Sequence, residues 1–199
     1  MNMPFDAMND TSDEALLILY GNGDSSAARA LALRLTPKIL GIAMRMLGGD
    51  RAEAEDVAQD AMLKLWKQAG EWRQGEAKVT TWLYRVVSNL CIDRRRKMRS
   101  SSIDEIDEPM DEAPSALAAI QNKARLNALD EALQTLPDRQ REAVVLRHIE
   151  GLANPEIAEI MEIGVEAVES LTARGKRALK TALEARKNEL GYEDDEPNA

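Results

Sequence analysis

The chain has 199 residues, 44% of them hydrophobic and 31% charged, a soluble composition with room for one medium domain or two small ones. A single cysteine and a single histidine exclude an internal disulfide, a zinc site and a Cys/His nucleophile pair, so no cofactor is expected. No segment has the roughly 18 uncharged apolar residues that span a membrane. We therefore predict a cytoplasmic protein with no membrane insertion.

The formal net charge of −9 is unevenly distributed along the chain. Residues 10–97 hold 14 basic and 12 acidic side chains, and residues 118–187 hold 11 of each. By contrast, residues 100–117 carry six acids and no base, and residues 188–199 carry five acids and no base. This pattern predicts two near-neutral domains joined by an acidic flexible linker at 98–117 and followed by an acidic tail.

The N-terminal half predicts four helices and no sheet. The pattern Thr11-x-x-Glu14 is that of a capping box and places the first helix start just before Ala15. Glycine-rich turns at 21–24 and 48–49 should separate a second helix, at about 25–47, from its neighbours. The third helix should run from Asp50 to about residue 69, and the fourth from about residue 80 to the basic run at 94–97.

Beyond the linker, helices are predicted at about 115–136, 137–149, 154–161 and 165–190. In the last pair, Asn154 is a good N-cap, Pro155 suits the first helical position, and residues 162–164 form a turn that contains glycine. A short helix, a turn and a longer helix are typical of a DNA-binding helix-turn-helix. An ordinary helical hairpin with a solvated outer face is the alternative.

In a helix-turn-helix the second helix enters the major groove. Its inward stripe should be Val168, Leu171, Gly175 and Leu179. Basic residues in its later turns suit phosphates, and a glutamate near its start can accept from a cytosine amine. The outward candidates for DNA contact are Glu166, Glu169, Ser170, Arg174, Lys176 and Arg177.

The third predicted helix carries two stripes with the helical period. Ala54, Val57, Ala58, Ala61 and Leu65 should face the core. The second stripe combines carboxylates, an amide, a leucine and a tryptophan, a mixture typical of a protein interface. Its members are Asp56, Gln59, Asp60, Leu63, Trp66 and Lys67, of which the first five are the candidate interface residues. Alternatively, the leucine and the tryptophan simply pack under the N-terminal helices.

The fourth predicted helix combines an apolar side with a polar and basic one. Leu83, Val86, Val87 and Leu90 should be buried, with Arg85, Ser88, Asn89, Arg95 and Arg96 opposite. Aromatic rings lie at its start, at Trp72, Trp82 and Tyr84. Such a surface suits single-stranded nucleic acid, although a basic last turn also complements the helix dipole and tryptophans are commonly core residues.

Together these segments resemble the extracytoplasmic-function (ECF) family of bacterial RNA polymerase sigma factors, in its sigma-E-like subgroup. Three motifs in chain order carry the resemblance: residues 54–66, residues 81–94, and residues 136–179. The resemblance implies an all-α protein with two small helical domains, an N-terminal sigma2-like and a C-terminal sigma4-like one. It implies promoter-specific transcription initiation in a stress response, and no enzymatic activity.

The resemblance also implies partners. The second stripe would bind the β′ clamp helices of core RNA polymerase, and the C-terminal domain would lie near the β flap. The −10 element would be opened and read by the loop 73–78 and the fourth helix, through Arg73, Lys78, Trp82, Arg85, Asn89, Arg95 and Arg96. The −35 element would be read by the outward residues of the last helix. An anti-sigma factor, zinc-binding in one subgroup, would hold the chain inactive.

Three other functions compete with this prediction. The first is a sigma-like decoy that binds an anti-sigma factor and never touches promoters, but the known adaptors of this kind carry a receiver domain that is absent here. The second is a simple helix-turn-helix repressor, which would not need residues 10–97. An enzyme is the third, and the acids at 55–60 lack the histidines expected of a metal site.

Overall fold

The computed structural model describes residues 8, 10–73, 75, 78–101, 117–184 and 186, and all regular structure within them is helical. This confirms the predicted all-α class. The helices are α1 (Asp13–Gly21), α2 (Ser25–Met46), α3 (Arg51–Gln68), α4 (Val79–Ser101), α5 (Leu117–Gln134), α6 (Asp138–Val144), α7 (Asn154–Met161) and α8 (Val165–Glu184). None of the described helices is long and apolar enough to cross a membrane.

The predicted linker, at 98–117, differs from the structure at its start. The fourth helix continues to Ser101, beyond the basic run that was expected to end it. The fifth helix begins at Leu117. Residues 102–116 and the predicted acidic tail at 188–199 lie outside the described residues. We refer to residues 10–101 as the N-terminal unit and to residues 117–186 as the C-terminal unit.

The N-terminal unit is built around α2, which packs against α1, α3 and α4. Leu35 and Ile39 of α2 are fully buried together with Leu65 of α3 and Leu83 of α4. The five residues predicted as the inward stripe of α3 are all buried. The 3.6-residue apolar period therefore identified the core face of this helix correctly.

Capping at the start of α1 differs from the prediction. The N-cap is Ser12, whose hydroxyl accepts from the amide of Ala15 at 3.2 Å, and Thr11 precedes it. Glu14 does not close a capping box; instead its carboxylate accepts from the amide of Val79 at 3.1 Å. That amide is one of the unsatisfied donors at the start of α4, so a residue of α1 caps a helix distant in sequence. The predicted start of α3 is confirmed, because Asp50 is its N-cap and accepts from the amide of Glu53 at 3.0 Å.

In the C-terminal unit, α8 packs against α5, α6 and α7. The predicted helix at 137–149 is α-helical to Val144 and continues as a π-helical turn over Val145–Ile149. Val168, Leu171, Gly175 and Leu179 face this core, as the predicted stripe requires. At Gly175 the α8 backbone comes so near to α6 that an added Cβ would lie 2.5 Å from Cγ2 of Val144.

A fully buried arginine joins the end of α5 to the start of α6. Arg141 donates to the carbonyl oxygens of Leu133, Gln134 and Leu136 at 2.7, 3.0 and 2.8 Å, and to Asp138 at 3.0 Å. Burial lowers the pKa of Arg141 to about 10. These bonds satisfy carbonyl groups that the last turn of α5 leaves without a helical partner.

The helix-turn-helix is present, with a cap one residue earlier than predicted. Ala153 is the N-cap of α7, so Asn154 and Pro155 both lie in its first turn. The Ala153 amide is satisfied by the carboxylate of Glu156 at 3.1 Å. In the turn, the left-handed residue is Glu162, with φ of 54°, and not the glycine.

The two units are packed against each other. Contacts join α4 to α7 and α2 to α5, α6 and the π-helical turn, and the buried apolar residues of both units form one continuous cluster. One polar link is the amide of Gln134, which donates to the carbonyl of Arg45 at 3.0 Å. The described chain therefore has a single folded body with the C-terminal unit lying on α2 and α4.

Candidate functional site

A groove of about 470 Å³ lies between α2 and α3. Its walls are mainly apolar, and two leucines beside or within it are unusually exposed, Leu33 at 60% and Leu63 at 49%. The lining residues are Ala32, Thr36, Leu40, Glu55, Ala58, Gln59, Met62, Leu63 and Trp66. An exposed apolar groove with a polar rim is typical of a surface that receives a helix from another protein.

The structure brings together three of the five candidate interface residues of the second stripe. Gln59, Leu63 and Trp66 line the groove. Asp60 instead accepts from Nη2 of Arg94 at 3.1 Å, and Asp56 lies 3.6 Å from the same guanidinium. The two acids therefore lie on the side of α3 that faces α4, outside the groove lining.

Trp66 is half-buried and belongs partly to the fold. Its ring meets Tyr20 of α1 edge to face, with centroids 4.9 Å apart and planes at 64°. It also packs against the core. Of the two interpretations of this stripe, packing under the N-terminal helices applies in part to Trp66, whereas Leu63 is exposed.

The polar side of α4 is only partly open. Asn89 and Arg96 are exposed, as expected. Ser88, in contrast, is 1% exposed and Arg95 is mostly covered, because the C-terminal unit lies on this side of the helix. The expectation that Ser88 faces outward is wrong for that reason. Glu142 is buried at the same boundary, and its burial raises its pKa, opposed by the charge of Arg139.

Cations of this face pair with acids of the C-terminal unit. The ammonium of Lys78 lies 2.8 Å from Glu156, and the guanidinium of Arg85 lies 2.7 Å from Glu162. The hydrogen bond and charge of Glu156 raise the pKa of Lys78, and Lys78 in turn lowers the pKa of Glu156. Sequence reasoning assigned these two cations to DNA and missed both acids.

Asp138 is a third acid of the C-terminal unit that pairs with cations of α4. Its carboxylate receives Nε of Arg95 at 2.9 Å and Nη2 of Arg99 at 2.6 Å, besides Arg141 from its own unit. Burial acts to raise the pKa of Asp138, but the hydrogen bond from Arg99 and the charges of Arg95, Arg99 and Arg141 together lower it. Nothing in the local pattern around residue 138 signals these partners.

The start of α4 carries the predicted aromatic cluster. The rings of Trp72 and Trp82 meet edge to face, with centroids 6.2 Å apart and planes at 87°. Trp82 is half-buried and Arg73 is exposed. Of the predicted loop 73–78, positions 74, 76 and 77 lie outside the described residues.

The outer face of α8 is exposed at all six predicted positions, Glu166, Glu169, Ser170, Arg174, Lys176 and Arg177. Arg174 and Arg177 each donate from Nε to a carbonyl one turn earlier in the helix. The amide of Asn154 lies 3.4 Å from Glu169, which joins the starts of α7 and α8. The face has the polarity that major-groove contact requires, and its DNA contacts stay a prediction.

Two segments of the chain match known protein families. Residues 31–101 match the family described as Sigma-70 region 2, and residues 126–179 match Sigma-70, region 4. The first match covers the groove and α4, and the second covers the helix-turn-helix. One match falls within the N-terminal unit and the other within the C-terminal unit.

Curated relatives match along most of the chain. The RNA polymerase sigma-H factor of Pseudomonas aeruginosa is 32% identical in an alignment 188 residues long, which covers 89% of this chain and 96% of that protein. The ECF RNA polymerase sigma-E factor of Escherichia coli K12 is 28% identical over 184 residues, covering 87% and 95% respectively.

Solved structures agree in fold. A complex of CnrH with the cytosolic domain of CnrY matches with a TM-score of 0.65 and 25% identity, covering 87% of this chain and 97% of that one. The sigma factor RpoE of Bartonella quintana, solved with the anti-sigma factor NepR, also gives a TM-score of 0.65, with 22% identity, and covers 78% and 96%. The latter likeness concerns the fold alone.

Proposed function

The chain belongs to the ECF family of RNA polymerase sigma factors, and we propose which of its surfaces binds each partner of such a factor. As a sigma factor it associates with core RNA polymerase and directs promoter-specific transcription initiation. Its similarity to sigma-E and sigma-H factors supports a role in a stress response. Sigma factors act by binding and not by covalent chemistry, so no residue is assigned a catalytic role.

The groove between α2 and α3 is the proposed site for the β′ clamp helices of core polymerase. The exposure of Leu63 in an apolar groove is the observation that carries this assignment, because the side chain gains burial only from a partner. Gln59 supplies a polar group in the same lining, suited to fix the register of a helix. Asp56 and Asp60 lie outside the groove lining, paired with Arg94, so the proposed contact with core polymerase at these two acids would be on the neighbouring side of α3.

Two substitutions test this assignment with purified core polymerase. Leu63→Ala should weaken binding by about 1 kcal/mol and Trp66→Ala by about 2 kcal/mol, because truncating an interface anchor removes desolvated contact. Met98→Ala is the control, since Met98 is similarly exposed, at 43%, but lies on α4. The thermal midpoint of Leu63→Ala should equal that of the wild type. Unchanged core affinity in both groove variants would exclude the groove.

The exposed end of α4 and the preceding loop are the proposed −10 surface. Asn89 and Arg96 are accessible there, and Trp82 offers an aromatic face close to the loop. Aromatic planes, amides and cations together are suited to hold unstacked bases. Asn89→Ala should reduce open-complex formation on a duplex promoter more than on a pre-melted bubble. Equal losses on the two templates would assign Asn89 a structural role instead.

The outer face of α8 is the proposed −35 surface, and the C-terminal unit is proposed to lie near the β flap. Arg174 and Arg177 share a face one turn apart, which suits successive phosphates, while Glu169 lies nearer the helix start, where base edges are read. Run-off transcription with core polymerase and a promoter library tests this assignment. A sigma-like decoy would yield no transcript from any promoter.

An anti-sigma factor is the proposed regulator, competing with polymerase for the groove. The structural similarity to CnrH, solved with the cytosolic domain of CnrY, supports a partner of this kind. That this partner binds zinc remains a prediction. The cytoplasmic location of the chain, where it would bind polymerase, also remains a prediction. Leu63→Ala should weaken the binding of both core polymerase and the anti-sigma factor if the two share the groove.

A further inference from the structure

The only histidine of the chain, His148, lies on the π-helical turn that continues α6. Gln140 and Val144 precede it at four-residue intervals, and both face α8. A Cβ added at Gly175 would lie 3.5 Å from Cβ of Gln140 and 2.5 Å from Cγ2 of Val144. Because residues four apart lie on one side of a helix, His148 lies one turn further along the side that faces α8. It is exposed there.

Two cations lie near this imidazole. Arg147 precedes it on the same turn, and Lys176 lies on α8, directly after the glycine that touches α6. Both are exposed, and neither pairs with a carboxylate within the described part of the chain, whereas Lys180 of α8 pairs with Glu184 at 3.4 Å. We call Arg147, His148 and Lys176 the basic cluster. Positive groups placed together without a counterion repel one another, so the cluster is suited to bind an anion.

The charges around His148 keep its imidazole neutral in the free chain at neutral pH. Burial and the two cations of the basic cluster lower the pKa of His148 below its ordinary value of 6.5. The π-helical turn also packs on α2, whose cations Lys38 and Arg45 act on Glu150, where they oppose the rise in pKa that burial causes. Within the described residues, no charged group of α6 or α7 shifts the pKa of His148.

The basic cluster continues the proposed −35 surface. Lys176 belongs to that surface, and Arg174 and Arg177 lie on the same exposed part of α8. Duplex DNA carries one phosphate charge about every 1.7 Å along its axis, counting both strands. Cations that flank a helix seated in the major groove therefore contact the backbone, and these contacts set the orientation of the helix. The imidazole of His148, close to Lys176, is placed to join them.

We propose that His148 binds a backbone phosphate of the −35 element in its protonated form, so that DNA binding is accompanied by the uptake of one proton. This inference rests on the proposed −35 function of α8. A phosphate beside the imidazole favours the imidazolium, and it also supplies the counterion that Arg147 and Lys176 lack. Because the bound state then has the higher pKa, the affinity for −35 DNA rises as the pH falls.

The test uses holoenzyme reconstituted from core polymerase and the full-length chain. Its affinity is measured for a duplex that carries the −35 element of a promoter found by run-off transcription and ends before the −10 element. Measurements at about pH 6 and about pH 8 bracket the titration of a histidine. His148→Gln removes that titration and keeps a polar side chain, while His148→Lys keeps a positive charge at both pH values. Titrations of polymerase and of the carboxyl groups are common to the three chains, so they cancel in the ratio of variant to wild-type affinity.

We expect the wild type to gain about fivefold over His148→Gln between the higher and the lower pH, because a pKa rise of one unit is worth at most tenfold in affinity. His148→Lys should bind more tightly than the wild type at the higher pH, with the pH dependence of His148→Gln. The salt slope of wild-type binding should steepen by up to about one unit at the lower pH, which a purely structural role of the imidazole would not cause.

Parallel pH curves for the wild type and His148→Gln would overturn the role of His148, as would weaker binding by His148→Lys than by His148→Gln. Both results leave the −35 assignment of α8 intact. That assignment has its own control, a duplex with a scrambled −35 element. Equal affinity of the wild-type holoenzyme for the two duplexes at both pH values would overturn the −35 function of α8 and, with it, the proposal for His148.

Discussion

Replacing Gly175 with alanine tests how closely α8 is packed against α6. In an exposed helix interior this change is worth about 1 kcal/mol in favour of the folded state. Here the new Cβ would lie 2.5 Å from Cγ2 of Val144 and 3.2 Å from the carbonyl oxygen of Gln140. Val144 is buried and β-branched, so it has little freedom to rotate away.

Overpacking of this kind costs about 1–3 kcal/mol, so it should exceed the gain in helix propensity. We expect Gly175→Ala to destabilise the chain by about 1 kcal/mol, measured by urea unfolding followed through helical circular dichroism. Gly41→Ala is the matched control, because Gly41 is also helical but has open space around the new methyl group. That variant should gain stability.

Replacing Val144 with alanine tests whether its contact with the new Cβ causes the loss of stability. We expect Val144→Ala to lower the free energy of unfolding by about 1 kcal/mol less in the Gly175→Ala background than in the wild type. In that background the new methyl group fills the space that the valine side chain vacates. Tryptophan fluorescence gives an internal reference, because all three tryptophans lie in the N-terminal unit. If Gly175→Ala raised the unfolding midpoint as Gly41→Ala does, the close approach of α8 to α6 would be refuted.

Three further predictions concern a cap, a titration and a phosphate contact. Asp50→Ala should cost about 1 kcal/mol in unfolding free energy by removing the cap of α3, and Asp50→Asn should restore most of it; a neutral alanine variant would contradict the cap. Burial raises the pKa of Glu142 above its ordinary value of 4.5, so the Glu142 carboxyl group binds its proton more tightly in the folded chain than in the unfolded chain. The free energy of unfolding therefore falls as the pH rises from 4.5 through the folded pKa. Glu142→Gln should remove a slope of at most about 1.4 kcal/mol per pH unit there, whereas parallel stability curves would contradict the assignment. Arg177→Ala should weaken −35 binding on all sequences and lower the salt slope by about one unit, and a loss confined to one promoter would instead indicate base reading.

Local periodicity predicted the elements and their buried faces well. The inward stripes of α3 and α8 follow from the 3.6-residue period, which depends only on neighbours along one helix. The start of α3 at Asp50 was also predictable, since an N-cap is a local bond. The helix-turn-helix was found because its turn and its first helix lie within a few residues of each other.

What the sequence did not predict depends on contacts between distant segments. Glu14 matched a capping box, but the amide of Val79 competes for its carboxylate once α1 and α4 are adjacent. Ser88 was expected to be exposed because the period of α4 contains no information about a second unit lying on it. The partners of Asp60 and Asp138 are likewise set by tertiary packing, which no spacing rule encodes.

The junction held by Arg141 gives Asp138 a counterion within its own unit. Arg95 and Arg99 reach this carboxylate from α4, so Asp138 would keep one ion pair even if both of those arginines were replaced. Because Arg141 also binds three carbonyl groups across the α5–α6 corner, it holds that corner by hydrogen bonds within the C-terminal unit. A lysine, with one rotatable ammonium in place of a rigid fork, could not bind the same set of acceptors. An arginine at position 141 is therefore what joins the end of α5 to the start of α6.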